Sequence, residues 1–322
     1  MPAPRDDIEL VKAARLYFQD GLSQQEVAQH LGTSRSNVSR MLTAARERGI
    51  VQIRIFDPAG RDGELEEQLV HRFGLSEARV AAFEPGQPPL ARTGQLGAAW
   101  LLDSLRDGQT LALSWGTALQ HLVWATTTDR PRHVEVVQLV GGLSPVSAAT
   151  TGQELVREMA ARLGASYRYL HAPALFESPA AMRALARERA VADALDAARH
   201  ADIALVGIGA AGVGSSAYIL EAMNLSAAER EEFWAGHPVG DVCARYYDLA
   251  GKPVPGPVED RVLAVDLADL RRIPTVVGVA TGKEKAPGML GALRGGVVDV
   301  LVCDASAARA VLVLDREEGA VP

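Results

Sequence analysis

The run HADIALVGIGAAGVG carries glycines at 207, 209 and 212, the G-x-G-x-x-G spacing that lets a backbone approach a pyrophosphate. Dinucleotide binding also needs a strand before the first glycine, a helix opening at the last, and an acidic residue about 20 positions on for the ribose. IALV suits a buried strand, but the acids that follow, Glu229, Glu231 and Glu232, fall in a polar helical pattern and not at the end of a second strand. A glycine-rich turn after a central strand outweighs a nicotinamide site, and Gly207 and Gly209 are kept as candidate ligand contacts. His121, His133, His171, His200 and His237 are scattered without mutual spacing, and no nucleophile stands beside a base, so no catalytic residue is assigned. Cys243 and Cys303 are the only cysteines, with no C-x-x-C and no histidine cluster. Buried thiols under reducing conditions are expected, with no metal and no cofactor. Two of the four lysines, Lys283 and Lys285, stand in one loop of a chain with 33 basic residues.

A second set of chemistry-bearing residues lies near the start. In RSNVSRMLTAARERG, a helix with Val38, Met41, Leu42 and Ala45 inward presents Ser36 and Arg40 outward, flanked by Arg35, Asn37 and Ser39, with Thr33 or Ser34 as its cap. Arginine pairs with guanine edges, asparagine with adenine, and serine with phosphate. Two elements must position that helix. DDIELVKAARLYFQDG predicts a first helix with Ile8, Val11, Ala14, Leu16 and Phe18 at roughly helical spacing, stopped by Gly21. LSQQEVAQHLG predicts a short second one, with Ser23 and Glu26 as a capping box and Gly32 as its end. Two short helices joined by a glycine-containing turn form a helix-turn-helix DNA reader, with Ser34, Arg35, Ser36, Asn37, Ser39 and Arg40 as candidate DNA contacts. The alternating IVQIRIF at 50–56 predicts a wing, with Gln52 and Arg54 outward.

The whole chain, 322 residues and 48% hydrophobic, can fill a large core and two domains. No basic-then-apolar leader opens it and no apolar run reaches 18 residues, so a cytoplasmic protein with no membrane partner is expected. The net charge of −7 hides an asymmetry: through Phe56 eight basic residues meet six acids, and the excess of acid lies beyond. Nucleic acid meets only one face, so the small basic module matters more than the total. The boundaries expected are 1–56 for the DNA-binding domain, 57–63 for a linker (DPAGRDG) and 64–322 for a larger domain, which opens with the amphipathic ELEEQLVHRFGL.

Beyond the linker, apolar runs at 110–115, 134–142, 203–209, 261–265, 275–280 and 298–304 alternate with helical stretches such as ARTGQLGAAWLLDSL, TGQELVREMAARLG and AAMRALARERAVADALDAA. Strand then helix, repeated, predicts an α/β domain with a mostly parallel sheet covered on both faces. Ligands bind such sheets at the carboxyl ends of the strands, where this chain has SWGTA, GGLS, GIGAAG and ATGKEK.

The blocks LALSWGTAL, VVQLVGG, ALVGIG, GDVCARYYDLAGKPV and GKEKAPGMLGALRGGVVDVLVCDASAARAVL, in this order after DGLSQQEVAQHLGTSRSNVSRMLTAARERGIVQIRI, resemble the SorC family of bacterial sugar-responsive transcriptional regulators over nearly the whole chain. The resemblance implies a winged helix-turn-helix domain on a Rossmann-like, sugar-phosphate-isomerase-like effector domain. Its implied partners are operator DNA, a sugar or sugar phosphate, and further copies of the chain, as a tetramer built from two dimers. It also implies contacts for the effector: Gly116 and Thr117 for a phosphate or sugar oxygen, Gly142 at the QLVGG turn, Gln153 as a polar contact, Asp241 for sugar hydroxyls and Lys285 for phosphate. Pro287 and Gly288 depart from the family's helix-forming pair, so the helix after Lys285 is expected to start late. Some relatives place a covalently reacting lysine at the QLVGG turn, where this chain has Val140; reversible binding is expected.

The function expected is therefore a regulator of carbohydrate genes, a repressor in preference to an activator, whose operator affinity shifts with the effector. The rivals are an isomerase-like or deaminase-like sugar-phosphate enzyme and, behind it, a dehydrogenase. Neither has a use for the helix-turn-helix.

Overall fold

Ser23 and Glu26 close the ring that starts the second helix: the Ser23 N–H donates to Glu26 Oε2 over 2.8 Å, and the Glu26 N–H to Ser23 Oγ over 3.4 Å. Such boxes satisfy amides a helix leaves unpaired. The computed structural model describes residues 7–51, 60–84, 86–143 and 151–319, in two compact units, Met1–Phe56 and Asp57–Pro322. In the first, α1 (Asp7–Phe18), α2 (Gln24–His30) and α3 (Arg35–Glu47) pack around Leu10, Ala13, Val27, Val38, Met41 and Ala45. Gly21, Gly32 and Gly49 turn the chain with positive φ after each helix. The inward face of α1 is Leu10, Ala13 and Ala14; Ile8 is 62% exposed and Phe18 packs outward under Arg46, so the expected stripe was rotated. From Gln52 onward the expected wing lies outside the described residues.

The second unit is an α/β domain. Its strands are β1 (Glu77–Ala81), β2 (Thr110–Leu113), β3 (Glu135–Gln138), β4 (Ser166–Arg168), β5 (Ile203–Ala210), β6 (Gly240–Val242), β7 (Arg245–Tyr247), β8 (Thr275–Ala280) and β9 (Val300–Asp304). Seven lie parallel in the order β1-β9-β8-β5-β2-β3-β4, while β6 and β7 form a hairpin whose first strand pairs antiparallel with the end of β5. The helices are α4 (Gly63–Phe73), α5 (Pro89–Ser104), α6 (Thr117–Ala125), α7 (Gly152–Leu163), α8 (Pro179–Ala186), α9 (Arg189–Arg199), α10 (Ser215–Ala222), α11 (Ala227–Ala235), α12 (Leu267–Leu270), α13 (Ala286–Arg294) and α14 (Ala305–Gly319). Buried Val, Leu and Ala of β2, β3, β5, β8 and β9 form the core, as expected for a parallel sheet covered on both faces.

Four sequence expectations change. RVLAV is an extended segment, tied by single bridges at Val262 and Ala264, and not a strand of the sheet. The helical stretch after Pro179 breaks at Glu188, whose backbone is extended, giving α8 and α9. The helix after Lys285 does not start late: Pro287 sits in the first turn of α13, where its missing N–H costs nothing. Finally, the later part of the expected linker is built into the second unit, because Arg61 bridges Ala81 and Asp62 caps α4.

Candidate functional site

The chain runs from β2 out to β3 and β4 on one side, then returns to place β5 on the other side of β2 before continuing to β8 and β9. Between the ends of β2 and β5 the direction of winding reverses, the position where open α/β sheets form a ligand crevice. A cavity of about 480 Å³ lies there. Trp115, Gly116 and Thr117 line it after β2, Gly207 and Gly209 on β5, Asp241 on β6, and Thr281 and Lys285 after β8. Ser114 ties the two halves together, its Oγ accepting the Gly207 N–H over 3.2 Å.

Four helices open onto this cavity: α5 at Pro88–Leu90, α6 at Gly116–Ala118, α10 at Gly214–Ser216, and α13, whose N-cap is Lys285. None of the four has a side-chain cap, nor has α9 away from the cavity, whereas α2, α3, α4, α7, α8, α11 and α12 each have one. Pro88 and Pro89 carry no N–H and the Ala91 N–H donates to the Pro88 carbonyl, while in α13 Pro287 has no N–H and the Ala286 N–H donates to the Lys283 carbonyl. The starts of α6 and α10 are the ones whose first-turn amides, with the positive end of the helix dipole, suit an anion.

Asp241 is buried, 6% exposed, and its Oδ1 has no hydrogen-bond partner among the described residues. Burial pushes its carboxyl up to about 6, although the Ser216 hydroxyl, the Lys285 ammonium and the Ala244 N–H pull the other way. The Thr281 hydroxyl is also buried and unpartnered. Unmet polar groups facing one cavity are poised to bond sugar hydroxyls. Cys243 lines the same wall, but burial holds its thiol at about 12, so it supplies no thiolate. Beneath Gly209 the packing is glycine on glycine: a Cβ on Gly288 would lie 2.1 Å from the Gly209 carbonyl oxygen, and one on Gly240 would meet Gly288 Cα at 2.4 Å. Tyr247 donates from its hydroxyl to the Gly288 carbonyl over 3.1 Å and holds α13 in this packing.

Six candidate effector contacts, Gly116, Thr117, Gly207, Gly209, Asp241 and Lys285, come together around the cavity. Gly142 and Gln153 do not line it; they neighbour each other past the end of β3, where Gly142 exchanges backbone bonds with Ala172 and Ala174. Pro88, Trp115 and Thr281 line the cavity without having been singled out in the sequence. Thr281 was legible in ATGKEK, whereas the Pro88 wall comes from a distant segment and left no local signal. The glycines at 207 and 209 lie within β5, which runs parallel to β2 and β8 and whose last residues pair antiparallel with β6, so no tight glycine turn into a helix follows Gly207. Among the described residues no group of His, Cys, Asp and Glu could hold a metal, and no helix is long and apolar enough to cross a membrane.

In the first unit Arg35, Ser36, Ser39 and Arg40 are exposed along α3. Ser34 is the cap, accepting the Asn37 N–H over 3.2 Å, and Thr33 accepts from Asn37 Nδ2 over 2.8 Å. Asn37 is thus half-buried and tied back to the turn.

Residues 57–313 match the sugar-binding domain family model and residues 8–60 the Crp-like helix-turn-helix domain. The chain is 33% identical over 316 residues to the sorbitol operon regulator of Klebsiella pneumoniae, covering 95% of this chain and 98% of that protein. The crystal structure of full-length SorC from the same organism superposes with a TM-score of 0.72 at 32% identity, over 95% of this chain and 100% of that one. The chain belongs to the SorC family. A further relative, the deoxyribonucleoside regulator of Bacillus subtilis (strain 168), is 33% identical over 94% of this chain and 96% of its own length. As a SorC-family member the chain is a DNA-binding transcriptional regulator and not an enzyme.

Proposed function

We propose that the cavity between β2 and β5 reversibly binds a sugar phosphate and that binding lowers the affinity of α3 for operator DNA, making the protein an inducible repressor of carbohydrate genes. The observation that carries this reading is the meeting of the α6 and α10 helix starts and Lys285 with the unpartnered Oδ1 of Asp241 in one cavity. The amides and the ammonium suit a phosphate, while Asp241 and Thr281 suit sugar hydroxyls. Gly116 and Thr117 sit at the start of α6 and Gly207 and Gly209 beneath the sugar. Gly142 and Gln153 act only at the margin. Val140 is fully buried, so no amine stands there to form a covalent adduct.

Arg35, Ser36, Ser39 and Arg40 are the side chains offered to DNA, with Ser34 holding the helix start. Residues 1–56 form the DNA-binding domain, and the second unit, with Arg61 and Asp62 built into it, forms the effector and oligomerisation domain. The working form is a cytoplasmic tetramer, a dimer of dimers, whose reading helices take half-sites spaced by whole turns. The effector binds one state of the regulator better than the other, and DNA affinity shifts by the same coupling, about 1–3 kcal/mol. Calorimetry with matched phosphorylated and unphosphorylated sugars tests the site: the phosphorylated member of a pair is expected to bind, and equal binding of both would refute the phosphate assignment.

A further inference from the structure

The first turn of α5, Pro88 to Leu90, walls the cavity, and Arg92 follows it on the same helix. Arg92 is only 18% exposed, and its Nη2 donates to the Gly60 carbonyl over 3.3 Å and lies 3.5 Å from Glu84 Oε2. Gly60 accepts a second bond, from the Ala82 N–H over 3.0 Å, and has a left-handed φ of 68°. The Arg92 guanidinium lies where a Cβ on Gly60 would start, and the left-handed φ favours glycine here. Next along the chain, Arg61 forks onto buried Glu66, and the Asp62 N–H donates to the Val80 carbonyl over 2.9 Å. Among the described residues, Gly60 is the first beyond the DNA-binding unit, and it is fastened into the effector unit.

Helix α5 is also locked to α6, whose start forms another wall of the cavity. A Cβ on Gly94 would lie 2.6 Å from the His121 backbone carbon, and one on Gly97 would lie 2.6 Å from Leu122 Cδ1. Two helices packed this closely through glycines move together. A ligand held at the start of α6 and packed against the first turn of α5 thus acts on a rigid pair that carries Arg92. Resting on the effector-pocket reading above, we propose that α5 transmits occupancy of the cavity to the chain entering from the DNA-binding unit, with Arg92 as the positioning residue that grips Gly60.

The test uses the full chain on a duplex from upstream of its own gene, with glucose 6-phosphate, ribose 5-phosphate and sorbitol 6-phosphate as probes. The expected result is a change in DNA Kd of about 5- to 150-fold for the wild type with at least one probe. With Arg92→Gln the same probe binds as tightly, yet the change in DNA Kd shrinks to within about twofold; with Arg92→Lys, which keeps a charged donor able to reach Gly60 and Glu84, it is partly restored. As a check that needs no variant, probe binding alters hydrogen exchange of the Ala82 amide in the wild type. An unchanged DNA response in a folded Arg92→Gln protein, or Ala82 exchange indifferent to a bound probe, overturns the proposal and leaves the pocket standing. Failure of every probe to bind the wild type overturns the pocket reading and this one with it.

Discussion

Asp241 Oδ1 occupies the space in which a side chain on Gly209 would begin. The two residues face each other in the β5–β6 pairing, and a Cβ on Gly209 would lie 2.0 Å from that oxygen. The glycine is a seat for the carboxylate, so Gly209→Ala is expected to push Asp241 out of place. Displacing a buried hydrogen-bonding partner costs about 1–3 kcal/mol. Calorimetry of the variant should show sugar phosphate binding weakened by that amount, with circular dichroism unchanged.

Asp241 also links effector binding to pH. Burial raises its carboxyl from 3.8 to about 6, so the folded protein holds a proton that the unfolded chain releases. Its contribution to stability is fully present below about pH 4 and is lost as pH rises through 6. At neutral pH the buried charge costs about 3 kcal/mol, the energy of a shift of roughly two units. Asp241→Asn is expected to raise the melting temperature of the ligand-free protein by several degrees at pH 7.5 and to leave it unchanged at pH 4. The same variant loses the effector response, because the amide puts an NH2 donor in place of one of the carboxylate's two acceptor oxygens and carries no charge.

Lys285 provides a test of the phosphate itself. Hydrogen bonds to charged groups contribute about 1.5–3 kcal/mol. Lys285→Met should therefore weaken binding of a sugar phosphate roughly 10- to 150-fold by calorimetry, with no change for the unphosphorylated sugar.

On the DNA-binding unit, Arg40 and Asn37 are expected to separate. Arg40 is exposed, its Nε reaching back to the Ser36 carbonyl over 3.4 Å, and Arg40→Ala should cost about 1–3 kcal/mol of operator binding and relax base preference at one position. Asn37 spends its amide on Thr33, so Asn37→Ala should act through stability, lowering unfolding free energy by about 1 kcal/mol in a denaturant titration.

Much of this could be read from the residues in order. The capping box at Ser23 and Glu26, the glycine stops and the inward residues of α3 are local signals, and they mark the DNA-binding helices directly. The strands β2, β3, β5, β8 and β9 were legible because continuous Val and Leu runs belong to buried parallel strands. The short β6 and β7 were not, since GDV and RYY are strands only by virtue of pairing with the end of β5. The rotation of α1 was hidden for a related reason: several apolar faces were compatible with its sequence, and contact with α3 selected Leu10 and Ala13. Asp241 and Lys285 could be named from GDVCARYYD and GKEK, but their shared cavity depends on where the chain reverses between β2 and β5. Gly142 and Gln153 failed to join it because their turn lies past β3, one strand further out.

The central claim is that a sugar phosphate in this cavity changes the grip on DNA. Fluorescence anisotropy of the full chain on duplex DNA from upstream of its own gene, at fixed salt, tests it most directly. A sugar phosphate is expected to raise the DNA Kd of the wild type by about 5- to 150-fold and to leave that of Lys285→Met nearly unchanged at the same concentration. A sugar phosphate that binds the wild type tightly without moving its DNA Kd would contradict it.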